Sequence, residues 1–306
     1  MGHNDNHHHQ HSGKNLKVAF FLNFAFTILE FLGGLYVNSI AIISDAVHDL
    51  GDSLSLGTSW YLERKSKQAA NRNFSFGYSR FSLLGALINS LVLIAGSVYV
   101  ISEAINRFKQ PEASNAEGMV IFALIGIAVN GYAAWKLSSG KSMNEKVVSW
   151  HLVEDVLGWV AVLVVAIILK FTNNLYLDPA LSLIITIYIL WNVVKRLKET
   201  LFIFLQGVPP EIDLREIEYR LLKIPSVQSL HHTHLWSLEG ADHVFTTHIK
   251  LKNIASFDQL LEVKKQVKAI LHEYHFKHYT IETELDSETC PLHPEGVISI
   301  TGSSSN

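Results

Sequence analysis

The residues of this chain best suited to chemistry are imidazoles and carboxylates set four positions apart. Ser44-Asp45-Ala46-Val47-His48-Asp49-Leu50-Gly51-Asp52 places four ionisable groups in an apolar run that begins at Ile40 and continues through Leu54 and Trp60. On a helix, His48 and Asp52 are i and i+4 and project from one face. His151-Leu152-Val153-Glu154-Asp155 repeats that spacing about a hundred residues later. Borderline divalent ions such as Zn²⁺ accept imidazole nitrogen and carboxylate oxygen in a tetrahedron. His48, Asp52, His151 and Asp155 would complete one with neither cysteine nor water. A single His–Asp pair would read equally well as a hydrogen bond between helices; two pairs of identical spacing favour a shared metal ion.

Neighbouring polar groups have other assignments. Asp45 shares a face with His48 and Asp52, where it can steer ions, orient a ligand or carry a proton. Asp49 and Glu154 lie about 100° round the helix from the adjacent ligands and point toward neighbouring helices. Asn23, Glu30, Asn89 and Asn130 suit interhelical hydrogen bonds or the lining of a vestibule.

The elements that must position these groups are membrane spans. The 306 residues are 48% hydrophobic and 17% charged, with mean hydropathy +0.20, too apolar for an ordinary soluble domain. A net charge of −3 gives no basis for a nucleic-acid partner. Six apolar stretches are long enough to cross a bilayer: 18–37, 40–62, 81–102, 119–135, 147–169 and 175–194. The His–Asp pairs fall in the second and fifth. Charges at such depth face a protein interior or a water-filled path.

Loop charges orient the bundle. Lys14, Lys17, Arg64, Lys65, Lys67, Arg72, Arg80, Lys136, Lys141, Lys146, Lys195, Arg196 and Lys198 share one side, against Arg107, Lys109 and Lys170 on the other. The positive-inside rule then puts both termini in the cytoplasm. Residues 1–15 form a histidine-rich tail with His3, His7, His8, His9 and His11. Its interruptions by Asn and Gln suit a native, disordered, weakly metal-binding segment better than an expression tag, and it lacks the core of a signal peptide.

The membrane region runs from 16 to 206, and Pro209-Pro210 marks a change to polar composition. Helical periodicity covers 212–222, strands are expected at 227–235 and 243–251, an amphipathic helix at 257–271 and a third strand at 279–285. The order α-β-β-α-β makes residues 207–290 a small α+β domain, followed by a flexible tail, 291–306. Cys290 is the single cysteine, so neither a disulfide framework nor a thiolate cluster is expected. His234 beside Trp236 reads as structural, and His232, His243 and His272 as solvated.

An ion carrier needs an energy source. No Gly-x-x-x-x-Gly-Lys-Ser/Thr loop occurs, which removes the usual signature of ATP. Histidine, with an ordinary pKa of ~6.5, offers another route, because metal and protons compete for the same nitrogen. Release of Zn²⁺ with uptake of H⁺ at the same atoms is antiport.

With these residues in hand, the chain resembles the cation diffusion facilitators, in particular the bacterial zinc exporters and their animal vesicular relatives. The matching stretches are Ser44-Asp45-Ala46-x-His48-x-x-x-Asp52, Phe76-Gly77-Tyr78-Ser79-Arg80-Phe81-x-x-Leu84 with Asn89, His151-x-x-x-Asp155, Leu177-Asp178-Pro179 and His231-x-x-His234-Leu235-Trp236-Ser237-Leu238. The similarity runs from about Lys14 to Glu284. It implies a homodimer in the lipid bilayer, each subunit with six transmembrane helices and a ferredoxin-like, metallochaperone-like cytoplasmic domain, exchanging zinc for protons. It also implies that His48 at the first position goes with a preference for zinc. His231, His248 and Glu284 fall on positions that bind zinc as a structural or regulatory ion in that domain, with His278 or His275 as a further ligand. A position that is histidine in some relatives is near Leu261 here, and a loop zinc site of those relatives has no counterpart in 63–79.

The expected function is export of Zn²⁺ across a bacterial inner membrane. The same fold carrying Cd²⁺, Co²⁺, Fe²⁺ or Mn²⁺ more broadly is the alternative, as is a membrane metal sensor or receptor. A membrane metalloenzyme would need an open coordination position and a general base, and no His-Glu-x-x-His occurs.

Overall fold

A computed structural model of the chain describes residues 8–66, 68–138, 143–172, 174–292 and 296–299, with the side chains of 8–19, 137, 143–149 and some positions in 56–66 outside that description. His3 and His7 of the histidine-rich tail, and Lys67 and Lys141 of the basic loops, lie outside the described residues; from His8 onward the tail, expected to be disordered, is helical. The chain divides into two compact units, Met1–Ala69 with Leu84–Lys198, and Ala70–Leu83 with Glu199–Asn306.

The first unit is built from α1 (His8–Val37), α2 (Ile40–Ser66), α3 (Phe81–Lys109), α4 (Ala116–Ser138), α5 (Met143–Phe171) and α6 (Leu177–Phe204). The shortest, α4, has 23 residues, about 35 Å at 1.5 Å per residue and enough for the apolar slab of a membrane. Among the described residues five of these helices, α1, α3, α4, α5 and α6, are long and apolar enough to cross one. The second of the six expected spans, α2, is long enough at 27 residues, but its apolar stretch carries Asp45, Asp49 and Asp52. Large apolar side chains such as Tyr36, Trp150, Phe171 and Trp191 face outward.

The bundle core joins Val37, Ala41 and Ile42 to Met119 and Ala123 of α4 and to Trp159, Val162 and Ala166 of α5. A Cβ at Gly126 would come within 2.2 Å of the Trp159 indole, so the bare backbone of α4 is what lets α5 seat that ring.

The start of α2 is fixed by a carboxylate from α6. Asp178, 1% exposed, accepts from Ser39 Oγ at 2.6 Å, Ile40 N at 2.8 Å, Ala41 N at 3.3 Å and Ser114 Oγ at 3.1 Å. An anion there satisfies amides that no helical carbonyl reaches and opposes the helix dipole. Asn38, left-handed at φ 55, makes the preceding turn, and its carbonyl accepts from Arg107 Nη1 and Ser114 Oγ, both at 2.9 Å. Ser44 Oγ and Thr186 Oγ1, 2.8 Å apart, tie α2 to α6 again one turn further on.

In the second unit, α7 (Leu214–Leu222) and α8 (Phe257–His272) pack with a mixed sheet of order β3-β2-β1-β4, formed by β1 (Val227–Ser237), β2 (His243–Leu251), β3 (His278–Glu284) and β4 (Ile298–Ser299). β1 is antiparallel to β2 and β4, and β2 is parallel to β3. The expected α-β-β-α-β order is present. The first helix starts two residues later than expected because Asp213 caps it, accepting from Arg215 N at 2.9 Å. β4 comes from a stretch read as loose: Ile298 pairs with Leu230 and completes the sheet edge. Ile217, Leu221, Leu230, Phe245, Ile249, Val267 and Leu271 form the core.

Asp178→Ala leaves several buried donors without an acceptor. The expected loss is at least about 1–3 kcal/mol of stability, with Asp178→Asn intermediate, measured by thermal unfolding in detergent.

Candidate metal centres

Helix spacing carries the first centre. His48 and Asp52, one turn apart on α2, meet His151 and Asp155, one turn apart on α5. His48 Nε2 lies 3.7 Å from both Asp52 Oδ2 and Asp155 Oδ1, and His151 Nε2 lies 2.6 Å from Asp52 Oδ2. The four groups thus form a line, Asp155–His48–Asp52–His151, in which every imidazole touches a carboxylate. For bonds of about 2.0–2.2 Å, ligand atoms of a tetrahedral ion stand about 3.4 Å apart. The two 3.7 Å separations are close to that edge. The His151–Asp52 contact is a direct hydrogen bond that opens by under about 1 Å to admit an ion. His48, His151 and Asp155 offer atoms all within 4.8 Å of one another.

These groups line a cavity of about 400 Å³ together with Asp45, Asn89 and Arg196. Asp49 turns from it: it is buried, with Glu30 of α1 beside it, while Asn23 Nδ2 donates to its carbonyl and to Ser53 Oγ. Glu154 is exposed and reaches His151 Nδ1 only at 4.0 Å.

The second centre is on the sheet face opposite the helices. His231 and His248 are cross-strand partners, and Glu282 pairs with His248 on the other side. Glu284 Oε1 lies 3.0 Å from His231 Nε2 and 3.1 Å from His248 Nδ1. A break in β1 register follows His231, with His232 left-handed at φ 50. This bulge brings His232 alongside, its ring 5.1 Å from that of His248 and 5.3 Å from that of His231. His232 and His243, expected to be solvated, are buried; His243 Nε2 sits 3.4 Å from Glu211.

His278 is not brought to this cluster. It opens β3, six residues before Glu284, about 20 Å along a strand, and its ring lies against Phe76. His275 is exposed in the turn before β3. A residue passed over in the sequence is present instead: Cys290 Sγ stands 3.7 Å from His248 Nδ1. His231, His248, Glu284 and Cys290 offer ligand atoms all within 4.8 Å of one another. A lone cysteine six positions beyond the end of β3 gives no sequence signal, since only the turn at 285–290 brings it back.

A family model described as the cation efflux transmembrane domain matches residues 16–205, and another, the cation efflux protein cytoplasmic domain, matches 209–285. The chain belongs to the cation efflux family, the cation diffusion facilitators. It is an integral membrane protein. The metal cation efflux system protein CzcD of Cupriavidus metallidurans is 35% identical over 285 residues, 91% of this chain and 90% of its own. The zinc transporter ZitB of Pectobacterium atrosepticum is 32% identical over 302 residues, 96% of this chain and 93% of its own. A cadmium, cobalt and zinc/H⁺-K⁺ antiporter of Bacillus subtilis is 31% identical over 291 residues, 94% and 93%.

In this cation efflux protein, burial alone would push the Glu284 carboxyl up; hydrogen bonds from His248 and His231 outweigh it and hold the group below the ordinary carboxylate range. A depressed carboxylate contributes stability that is full above its unfolded value, about 4.3, and lost as pH falls through the folded one. Thermal unfolding of metal-stripped protein between about pH 7 and about pH 3 should show that loss, and Glu284→Gln should lower the midpoint at neutral pH and flatten the acid limb.

Proposed function

We propose that this protein exports Zn²⁺ from the cytoplasm in exchange for protons, carrying the ion between α2 and α5 on His48, Asp52, His151 and Asp155. The observation that carries this reading is the convergence of two helix turns into an alternating carboxylate–imidazole line beside a cavity. Such a site needs neutral imidazoles to bind metal, so protons arriving from the far side displace the ion. Six spans follow, with α2 the sixth: its carboxylates face the site and neighbouring helices instead of lipid. The loop charges support cytoplasmic termini, and the bacterial sources of the relatives support a bacterial inner membrane.

Residues 1–15 are then a cytoplasmic histidine-rich tail, 16–206 the transporter, 207–290 a cytoplasmic metal-binding and dimerisation domain and 291–306 a terminal segment. The family match of 209–285 supports a homodimer joined through that domain. His231, His248 and Glu284 hold a regulatory zinc there, drawing the domain into its ordered state when cytoplasmic zinc is high. The name of the Bacillus subtilis relative, which joins cadmium and cobalt to zinc, favours a second reading in which the same site carries those ions too.

Proteoliposomes with an imposed pH gradient test the transport reading. Zinc flux should follow the gradient, and metal-stimulated proton flux across a panel of divalent ions should be largest for Zn²⁺. His48→Ala and Asp155→Ala should each lower flux by more than the roughly 10–100-fold typical of changes outside the ligand set. Flux indifferent to the gradient would defeat antiport. For regulation, His248→Ala should raise the zinc concentration giving half-maximal flux while transport persists; complete loss of transport would contradict this division of labour.

A further inference from the structure

The His231–His248–Glu284 cluster has a thiol at its open side that the function proposed above does not use. Cys290 Sγ is 3.7 Å from His248 Nδ1, and tetrahedral zinc with bonds of about 2.3 Å to sulfur and about 2.05 Å to nitrogen sets N and S about 3.6 Å apart. The two nitrogen–oxygen separations at Glu284, 3.0 and 3.1 Å, are within about 0.4 Å of the corresponding N···O edge. We infer that Cys290 is the fourth ligand of this centre, closing His231, His248 and Glu284 into a tetrahedral site for a thiophilic divalent ion within a single chain. The inference rests on the reading of those three residues as ligands.

Two features show a site arranged around an ion. His248 turns Nδ1 inward while its other nitrogen, Nε2, lies 3.5 Å from Glu282. That carboxylate–histidine pair is the outer-shell arrangement that fixes a metal-binding imidazole and raises its basicity. The path to Cys290 is also tied down. Glu288 accepts from Leu285 N through Oε2 at 2.7 Å, and its own amide donates to Leu285 O at 2.9 Å. Its carbonyl accepts from Lys250 Nζ, and Asp286 accepts from Asn253 N at 3.0 Å. These bonds fold 285–290 back over the end of β2 and aim the thiol at His248.

Binding releases the thiol proton, and thiolate plus carboxylate then cancel the charge of a divalent ion, which suits a pocket where His231 and Glu284 are buried. A sulfur ligand also gives this centre a different selectivity from the all-nitrogen-and-oxygen membrane site: it favours Zn²⁺ and Cd²⁺ over Mn²⁺ and Mg²⁺. The ion would staple the segment leading to β4 onto β1 and β2.

The test exploits the fact that the chain has one cysteine. Reduced, metal-stripped full-length protein in detergent is titrated with Co²⁺, whose near-ultraviolet sulfur-to-metal charge-transfer band can then come from Cys290 alone. The expected result is that band with tetrahedral visible absorption, lost in Cys290→Ser, retained in Asp155→Ala, and accompanied by Zn²⁺ protection of the thiol from Ellman's reagent. Binding of Co²⁺ that is weakened by His248→Ala but shows no such band overturns the assignment of Cys290 and leaves the three-residue reading intact. Binding that lacks the band and is indifferent to His248→Ala overturns both.

Discussion

An ionisable group inside an apolar helix bundle must find a partner of opposite character, because leaving it bare in a low dielectric costs more than most interactions in a protein return. The first unit is arranged around that requirement. Asp155, His48, Asp52 and His151 satisfy one another in alternation, and the Asp155–His48 and Asp52–His151 contacts depend on α2 and α5 lying side by side at the right height. Height is set at the end of α2, where Asp178 of α6 holds Ser39, Ile40 and Ala41. Glycine supplies the lateral approach: Gly126 gives way to Trp159, and Gly51 of α2 to Leu93 of α3. The polar groups that are costly to bury are also the ones proposed to hold the ion, so the bundle's energetic liability and its proposed function reside in the same side chains.

The second unit solves a similar ligand problem with strands. Period-two alternation puts Leu230, Phe245 and Ile249 in the core, with His248 and Glu284 on the opposite face. A bulge after His231 departs from that alternation and adds His232 to the same neighbourhood. Here the candidate ligands come from three strands and a turn, so they meet only once the sheet register and the turn at 285–290 are both in place. A metal bound there would reinforce folded sheet and turn together, a natural basis for a regulatory ion. The membrane site draws on rigid helix turns and needs no such assembly.

Much of this was legible in the chain itself. The existence and order of the six long helices, the α-β-β-α-β order and the His48–Asp52 and His151–Asp155 pairs all follow from local rules: hydropathy over about 20 residues, a repeat of 3.6 or 2, and one-turn spacing. The motif matches around Asp45, Arg80, Asp178 and His231 already pointed to the family that the comparisons show. α2 is the exception that its chemistry explains, since the carboxylates that mark it as functional also lower its hydropathy below that of its five neighbours.

What the tertiary structure alone decided were relations between residues far apart along the chain or separated by irregular backbone. Asp178 reads in sequence as one acidic residue before a proline, yet it caps a helix that begins 138 residues earlier. His278 was a candidate further ligand until strand rise carried it to the far end of β3 from Glu284. Cys290, dismissed as solitary, faces His248 because hydrogen bonds through Asp286 and Glu288 reverse the chain. Spacing within one helix or strand fixes direction, and the sequence determined that much for each half of the membrane site. Which halves meet, and which side chains a bulge or a turn returns to them, depends on packing and register that no local pattern encodes.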